Sequence, residues 1–305
     1  MLKAQANQTN WPESDRKLLY RQKDGLLAHF GKYDVTKITN RMVREYFVNL
    51  DASRKKPLAA STKHKHVITI RKVLSLAVED GLMKTIPLLP KQKTVDNPRH
   101  AVTDQTYKGF MKAAHECVEE RMKVRGVTIR MHYVKMFKFV VHSFLRPTEG
   151  ELFGIKHKDM TIQGDPAHLE MVVHGGKTGL RTSVTMPLGV LLYRGELPPL
   201  AQKVEDENAY VWMPEYPNRT TAINTATRIF NHILERASLV DADIKLSPYS
   251  LRHYALRSRL QSSNGKVNIY TLAKNAGTSV DQLERFYLKS MSISNAMIEN
   301  LHSRD

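Results

Sequence analysis

The sequence holds one cysteine, Cys117. It cannot close an internal disulfide, which suits a reducing cytoplasm, and a cytoplasmic location is the expectation. No uninterrupted apolar run approaches the roughly 20 residues that span a bilayer, and the opening stretch MLKAQANQTNWPESD has no signal-peptide core. Acid is scarce beside base: 30 Asp and Glu stand against 47 Lys and Arg, for a formal net charge of +17. Such an excess repels itself in a compact state, and its usual use is attraction to a polyanion. A membrane surface would call for one strongly amphipathic basic helix, whereas these Lys and Arg are spread along the chain. Nucleic acid is therefore the expected partner, with no membrane association. Metal-ligand spacing is also missing. The tightest histidine pair, His64 and His66, has i,i+2 spacing that turns the rings to different faces of a helix, and no carboxylate or cysteine stands near at ligand spacing. No metal is expected.

What is present is a globular composition, 41% hydrophobic and 25% charged, in a 305-residue chain long enough for one large or two modest domains. Residues 14–30 read as one helix with Leu18, Leu19, Leu26, Leu27 and Phe30 on its apolar side, ended by Gly31. In residues 39–50, Val43, Tyr46, Phe47 and Leu50 fall at helical spacing. A basic connection follows with Arg54, Lys55, Lys56 and Pro57, either a solvated loop or a phosphate contact. From Ser61-Thr62 a long helix carries Val67, Ile70, Leu74, Ala77 and Val78 as one stripe. Lys65 and Lys72 point away from that stripe and Arg71 lies at its edge; with Lys63 they form a basic exterior suited to a phosphate backbone. Residues 92–99, QKTVDNPR, are the best linker in the chain, so domains at 1–95 and 96–305 are expected. Beyond the linker, helices are expected at 103–118 and 127–144, the latter apolar over most of its surface and hence core. Short strands are expected at 159–163, 169–173 and 182–186, and helices at 222–237, 249–262, 280–287 and 292–302.

Several residues stand out chemically. Arg146 follows the apolar helix directly, where an unpaired guanidinium costs several kcal/mol, so it needs an anion: Glu149, Glu151 or a phosphate. Lys177 lies in HGGKTGLRTSV, a glycine-rich turn between strand patterns. Gly-Lys-Thr invites a nucleotide-binding reading, but the glycine required five positions before Gly176 is Met171, and a strand pattern rather than a helix follows, so no ATP site is expected. Ser247-Pro248 is a helix start with Arg252 one turn on, an arrangement suited to an anion. Thr278-Ser279 stands three residues before Asp281 and Gln282, which is capping-box spacing. Tyr287 shares a helical face with Val280 and Leu283, as a core aromatic would.

The run Tyr249-Ser-Leu-Arg252-His253, then Ala276-Gly277-Thr278, then Tyr287 resembles the carboxy-terminal signature of the tyrosine recombinases, the phage-integrase family. The stretch LRPTEGELFGIKHKDM resembles that family's first arginine box, with either Glu149 or Glu151 as the acid, and the turn at Lys177 resembles its strand-two to strand-three hairpin. The resemblance implies a mainly α fold with a small antiparallel sheet: a helical core-binding domain followed by a mixed α+β catalytic domain. It implies that Arg146 and Arg252 bind the scissile phosphate of double-stranded DNA, Lys177 protonates the departing 5′ oxygen, and Tyr287 attacks to give a 3′-phosphotyrosine, with no ATP, metal or other cofactor. Tyr249 and Thr278 stand where histidines are common in the family. Tyr249 can donate a hydrogen bond to phosphate, Thr278 can touch the phosphate or cap a helix, and His253 orients the site or packs. A site-specific recombinase, an integrase of a mobile element, working as a tetramer on two DNA sites, is the implied activity. The apolar residues Ala296, Met297, Ile298 and Leu301 of the tail would pack on a neighbour or on their own domain. The rivals are a catalytically silent DNA-binding regulator of the same fold and strand relaxation in the manner of a type IB topoisomerase.

Overall fold

The computed structural model describes residues 11–92, 102–165, 167–176, 179–195, 206–240, 245–263, 266–286 and 302. It divides into two compact units, Met1–Asn97 and Pro98–Asp305.

The first unit is helical: α1 (Glu13–Tyr20), α2 (Leu26–Phe30), α3 (Asn40–Ala52) and α4 (Ala60–Glu79). Leu18, Leu19, Leu26 and Phe30 meet Val43, Tyr46, Phe47 and Leu50 of α3 and Val67, Ile70 and Leu74 of α4 in one core. The single helix expected over residues 14–30 is two. Gly25 takes an extended conformation ahead of α2, and a Cβ there would lie 2.2 Å from the Arg21 carbonyl oxygen, so only glycine lets the chain fold back this tightly. Thr39 caps α3 by accepting from the Met42 amide at 3.3 Å.

Helix α4 buries the expected stripe except that Val78 is only half-buried, and it buries His66 as well. The Tyr46 hydroxyl donates to the Asp24 carbonyl at 3.1 Å, and His66 Nδ1 lies 3.0 Å from that hydroxyl. Burial lowers the His66 pKa to about 4. Between that value and the ordinary histidine value near 6.5, the unfolded chain binds a proton that the folded chain does not, so stability falls as pH drops through this window. The loss reaches about 2 kcal/mol at pH 5. Amide hydrogen exchange over residues 60–79, corrected for its intrinsic pH dependence, is expected to show this loss in the wild type and to flatten in His66→Gln; an equal response in both proteins would contradict it.

The second unit contains α5 (Asp104–Glu119), the hairpin β1 (Lys123–Val124) and β2 (Val127–Thr128), α6 (Met131–Ser143), β3 (Met160–Gln163), β4 (His168–Gly176), β5 (Gly179–Val184), α7 (Pro187–Arg194), α8 (Arg219–Arg236), α9 (Pro248–Ser262), α10 (Ile269–Ala276) and α11 (Val280–Phe286). Strands β3, β4 and β5 form one antiparallel sheet in that order. Helix α6 is the central element: Val134, Met136, Phe137, Phe139 and Val140 are buried with Phe110 of α5, Trp212, and Phe230 of α8. Burying each such aromatic side chain contributes roughly 1.5–3 kcal/mol.

Helix α6 begins at Met131 rather than at 127, because Arg125 and Gly126 both take positive φ and close the β1-β2 hairpin. Helices α7 and α10 were not among the expected elements. Their starts carry ordinary signals, Pro187 at the first helical positions of α7 and Asn268 accepting from the Tyr270 and Thr271 amides at 2.9 and 3.1 Å. The α10 end is tied to the sheet edge. Asn275 Nδ2 donates to the Val184 carbonyl at 2.9 Å, its Oδ1 accepts from the Val184 amide at 2.6 Å, and the Ser183 hydroxyl donates to the Asn275 carbonyl at 3.0 Å. One amide side chain thus pairs β5 as a neighbouring strand would. The expected helix at 292–302 and the tail residues Ala296, Met297, Ile298 and Leu301 lie outside the described residues, apart from the exposed, helical His302.

Candidate active site

The site grows out of the end of α6. Phe144 takes the left-handed conformation (φ 59°), which stops the helix, and Leu145 is buried next to it. Arg146 then leaves the core with 13% of its side chain exposed. Its acid is Glu151, which has no exposed side-chain surface; Glu149 is exposed to solvent. The intervening turn brings the two together: Gly150 packs so closely on Gly175 of β4 that a Cβ would stand 2.0 Å from the Gly175 carbonyl oxygen.

Glu151 is held by two arginines. Its Oε2 accepts from the Arg146 amide at 2.8 Å and from Arg181 Nη2 at 2.9 Å. Its Oε1 accepts from Arg146 Nη1, and Arg181 Nη1 lies 3.4 Å away. Burial opposes ionisation of this carboxyl, but the hydrogen bonds from Arg181 and Arg146 outweigh it and hold its pKa below the ordinary value. Burial also opposes the charge on Arg146, and the Glu151 contact overcomes that and raises its pKa; the nearby Tyr249 hydroxyl acts in the same direction.

Arg252 is buried on α9, a helix started by Pro248 and by the Ser247 amide donating to Ser250 Oγ at 3.1 Å. It donates to the Phe144 carbonyl at the end of α6 and, at 2.8 Å, to the Ala276 carbonyl at the end of α10. Arg146 Nη2 donates to the next carbonyl, that of Gly277. The two guanidinium groups therefore stand side by side across two helix carboxy-termini, where unpaired carbonyls and the negative end of the dipole favour cations. Gly277 (φ 62°) and Thr278 close α10 with Schellman hydrogen bonds: Gly277 N–H to the Lys274 carbonyl at 3.1 Å and Thr278 N–H to the Ala273 carbonyl at 2.9 Å.

Among the supporting residues, the Tyr249 ring packs 5.1 Å from that of His253, one turn along α9. Thr278 does not cap α11. That role falls to Ser279, which accepts from the Gln282 amide at 3.2 Å; the half-buried Thr278 follows directly on Gly277, whose carbonyl accepts from Arg146. Lys177 and Tyr287 lie outside the described residues. Their flanks are described: Gly176 pairs with Gly179 across the β4-β5 ladder, and α11, with Leu283 buried, leads to residue 286.

The seven basic residues of the first unit expected to meet DNA fall into two groups. Lys55, Lys56, Lys65 and Arg71 are exposed. Arg54, Lys63 and Lys72 are each tied to a carboxylate: Asp24 for Arg54, Asp51 at 2.5 Å for Lys63, and Asp15 at 2.5 Å for Lys72. Lys72 also lies 5.7 Å from the Trp11 ring, so it joins α4 to α1 instead of facing solvent as its helical position suggested.

Sequence reasoning passed over Arg181, the third guanidinium of the cluster. No signal in the sequence marked it: in β5 the apolar Leu180 is 70% exposed while Arg181 and Ser183 turn inward, so the polar residues occupy the inner face. It also passed over Arg219, buried on α8, which donates to the carbonyls of Phe153, Trp212, Met213 and Tyr216 and so gathers the loops behind the site.

Residues 4–94 match the family model of the phage integrase SAM-like domain. No curated protein matches the chain by sequence. Among solved structures, a lambda integrase dimer bound to a COC′ core site is similar at TM-score 0.66 and 14% identity, covering 96% of this chain and 94% of that one. The Tn1549 transposon integrase in complex with circular intermediate DNA is similar at TM-score 0.64 and 10% identity, covering 99% and 97%. The XerH site-specific recombinase bound to difH substrate, a pre-cleavage complex, gives TM-score 0.55 and 14% identity over 88% and 71%. The chain thus pairs a phage integrase SAM-like domain with the fold of the tyrosine recombinases.

Removing Glu151 leaves two half-buried guanidinium groups without their anion. Glu151→Gln is expected to lower unfolding stability by roughly 3–5 kcal/mol, measured by urea denaturation at neutral pH. A change within about 0.5 kcal/mol, typical of surface sites, would show that the cluster does not hold this unit together.

Proposed function

We propose that this protein is a site-specific DNA recombinase of the integrase type that cuts and rejoins duplex DNA through a 3′-phosphotyrosine. The observation that supports this reading best is the convergence of Arg146 and Arg252 on the consecutive carbonyls of Gly277 and Ala276, shortly ahead of the helix that leads to Tyr287. Two guanidinium groups, those of Arg146 and Arg181, share one carboxylate there, and the third, that of Arg252, donates to the neighbouring Ala276 carbonyl. A site with surplus positive charge in restricted solvent is suited to an anion, and a phosphodiester gains most when charge grows on its non-bridging oxygens in the transition state.

In this reading Arg146 and Arg252 bind those oxygens, and Tyr249 adds a hydrogen bond to the phosphate. The Tyr287 hydroxyl loses its proton to water as its oxygen bonds to phosphorus and the bond to the 5′ oxygen breaks; Lys177 gives that leaving oxygen a proton and regains one from water, a contribution of about 10²–10⁴-fold for a positioned general acid. The energy of the broken phosphodiester is kept in the tyrosyl ester, so rejoining needs neither ATP nor a metal. Lys55, Lys56, Lys65 and Arg71 contact the DNA backbone as exposed cations; Arg54, Lys63 and Lys72 do so while retaining their carboxylate partners. A tetramer on two DNA sites, within the cytoplasm, completes the proposal.

The test uses a nicked duplex carrying the site that the protein selects from a randomised DNA pool. Wild-type protein is expected to give a covalent protein–DNA band on denaturing electrophoresis, and Tyr287→Phe none. Tight binding with no band from the wild type would favour the silent regulator instead. A band with relaxation of supercoiled DNA but no exchange between two sites would favour the topoisomerase-like reading.

A further inference from the structure

We infer that Arg181 is a positioning residue of this reaction, which ties the hairpin bearing Lys177 to the arginine pair and to the turn ahead of the Tyr287 helix. The inference rests on the recombinase reading and extends it to a residue outside the expected set.

An arginine facing inward from a strand is costly unless an anion meets it. Arg181 keeps only 10% of its side chain exposed and meets Glu151 with both terminal nitrogens. With Arg146 supplying an amide and a guanidinium contact, both oxygens of Glu151 are shared between the two arginines. Arg181 therefore does more than balance charge. By meeting both carboxylate oxygens it also fixes where Glu151, and with it the turn of Arg146, stands relative to β5.

The other side of the Arg181 guanidinium lies on Gly277. A Cβ on Gly277 would stand 2.6–2.8 Å from Cζ, Nε and Nη1 of Arg181, and Gly277 also holds positive φ. The same residue gives its carbonyl to Arg146. One side chain thus fixes three segments: the turn of Arg146 and Glu151, the turn from Gly277 into α11, and strand β5. Arg181 stands two residues after Gly179, whose ladder partner Gly176 directly precedes Lys177. With that strand pinned, the hairpin bearing Lys177 has a fixed base from which to reach a departing oxygen; unpinned, proton delivery fails before phosphate binding does.

This separates chemically from a purely structural role. A bridging 5′ sulfur leaves as a thiolate and needs no proton, so a defect in proton delivery disappears on that substrate while a defect in phosphate charge or folding persists. The experiment measures covalent-complex formation by full-length wild type, Lys177→Ala, Arg181→Met and Gly277→Ala. Each is tested on the nicked duplex with oxygen or sulfur at the cleaved linkage, with circular dichroism confirming the fold. Arg181→Met is expected to fall about 10²-fold on the oxygen substrate and to recover to within about tenfold of wild type on sulfur, in parallel with Lys177→Ala. Gly277→Ala, which displaces the same guanidinium, is expected to follow, and it carries the test if Arg181→Met does not fold. Wild-type rates for a folded Arg181→Met on oxygen, or equal losses on both substrates, would overturn the inference. No complex from the wild type on either substrate would remove the recombinase reading itself.

Discussion

A fully buried carboxylate shared by two guanidinium groups is the constraint on which the second unit depends. Glu151 stays ionised against burial because Arg146 and Arg181 both donate to it, and neither arginine could be taken so far out of water without it. The pairing dictates the local chain path: the left-handed stop at Phe144, the turn that packs Gly150 on Gly175, and the inward-facing polar residues of β5. Polar groups in low dielectric interact strongly, so the geometry is fixed and exposed to loss of any one member.

The second layer is made by helix ends. The carboxy-termini of α6 and α10 point carbonyls at one place, and Arg146 and Arg252 satisfy them. In the proposed reading, stability and phosphate recognition draw on the same side chains: the arginines satisfy the carbonyls while two guanidinium groups share the single carboxylate of Glu151. The ties of Asn275 and Ser183 to β5 hold α10 in register with the sheet, which places the turn before α11 against the arginines. In the first unit the carboxylates do a different task. Asp15, Asp24 and Asp51 draw Lys72, Arg54 and Lys63 into ion pairs, Arg54 while still exposed, leaving Lys55, Lys56, Lys65 and Arg71 as the other exposed cations of the expected set.

Much of this was legible in the sequence. The apolar stripe of α4 and the buried length of α6 follow from periodicity, and Arg146 and Arg252 announce themselves by standing beside helix termini. Glu151 was only half legible: spacing allowed Glu149 as well, and burial chose between them. Arg181 escaped because strand alternation reports that neighbours face opposite ways without saying which face is inside, and in β5 the polar face is the inner one. The break at Gly25 was hidden because the apolar period continues across it, and a steric contact with the Arg21 carbonyl is visible only once the chain is folded. The start of α6 was misplaced because Val127 and Ile129 carry on the apolar pattern of the helix, and only the folded hairpin, with Arg125 and Gly126 at positive φ, takes Val127 and Thr128 into a strand. Lys72 faces a carboxylate fifty-seven residues earlier in the chain, and no local pattern announces such a partner.

The central claim is that the arginine cluster holds one particular phosphate. The most direct measurement is the affinity of the protein for duplexes in which a single linkage is replaced by a neutral methylphosphonate, moved one position at a time through the selected site. The account predicts the greatest loss of affinity at the linkage that becomes joined to the protein, and loss of that peak in Arg146→Ala. A uniform penalty at every contacted linkage, unchanged in Arg146→Ala, would contradict it.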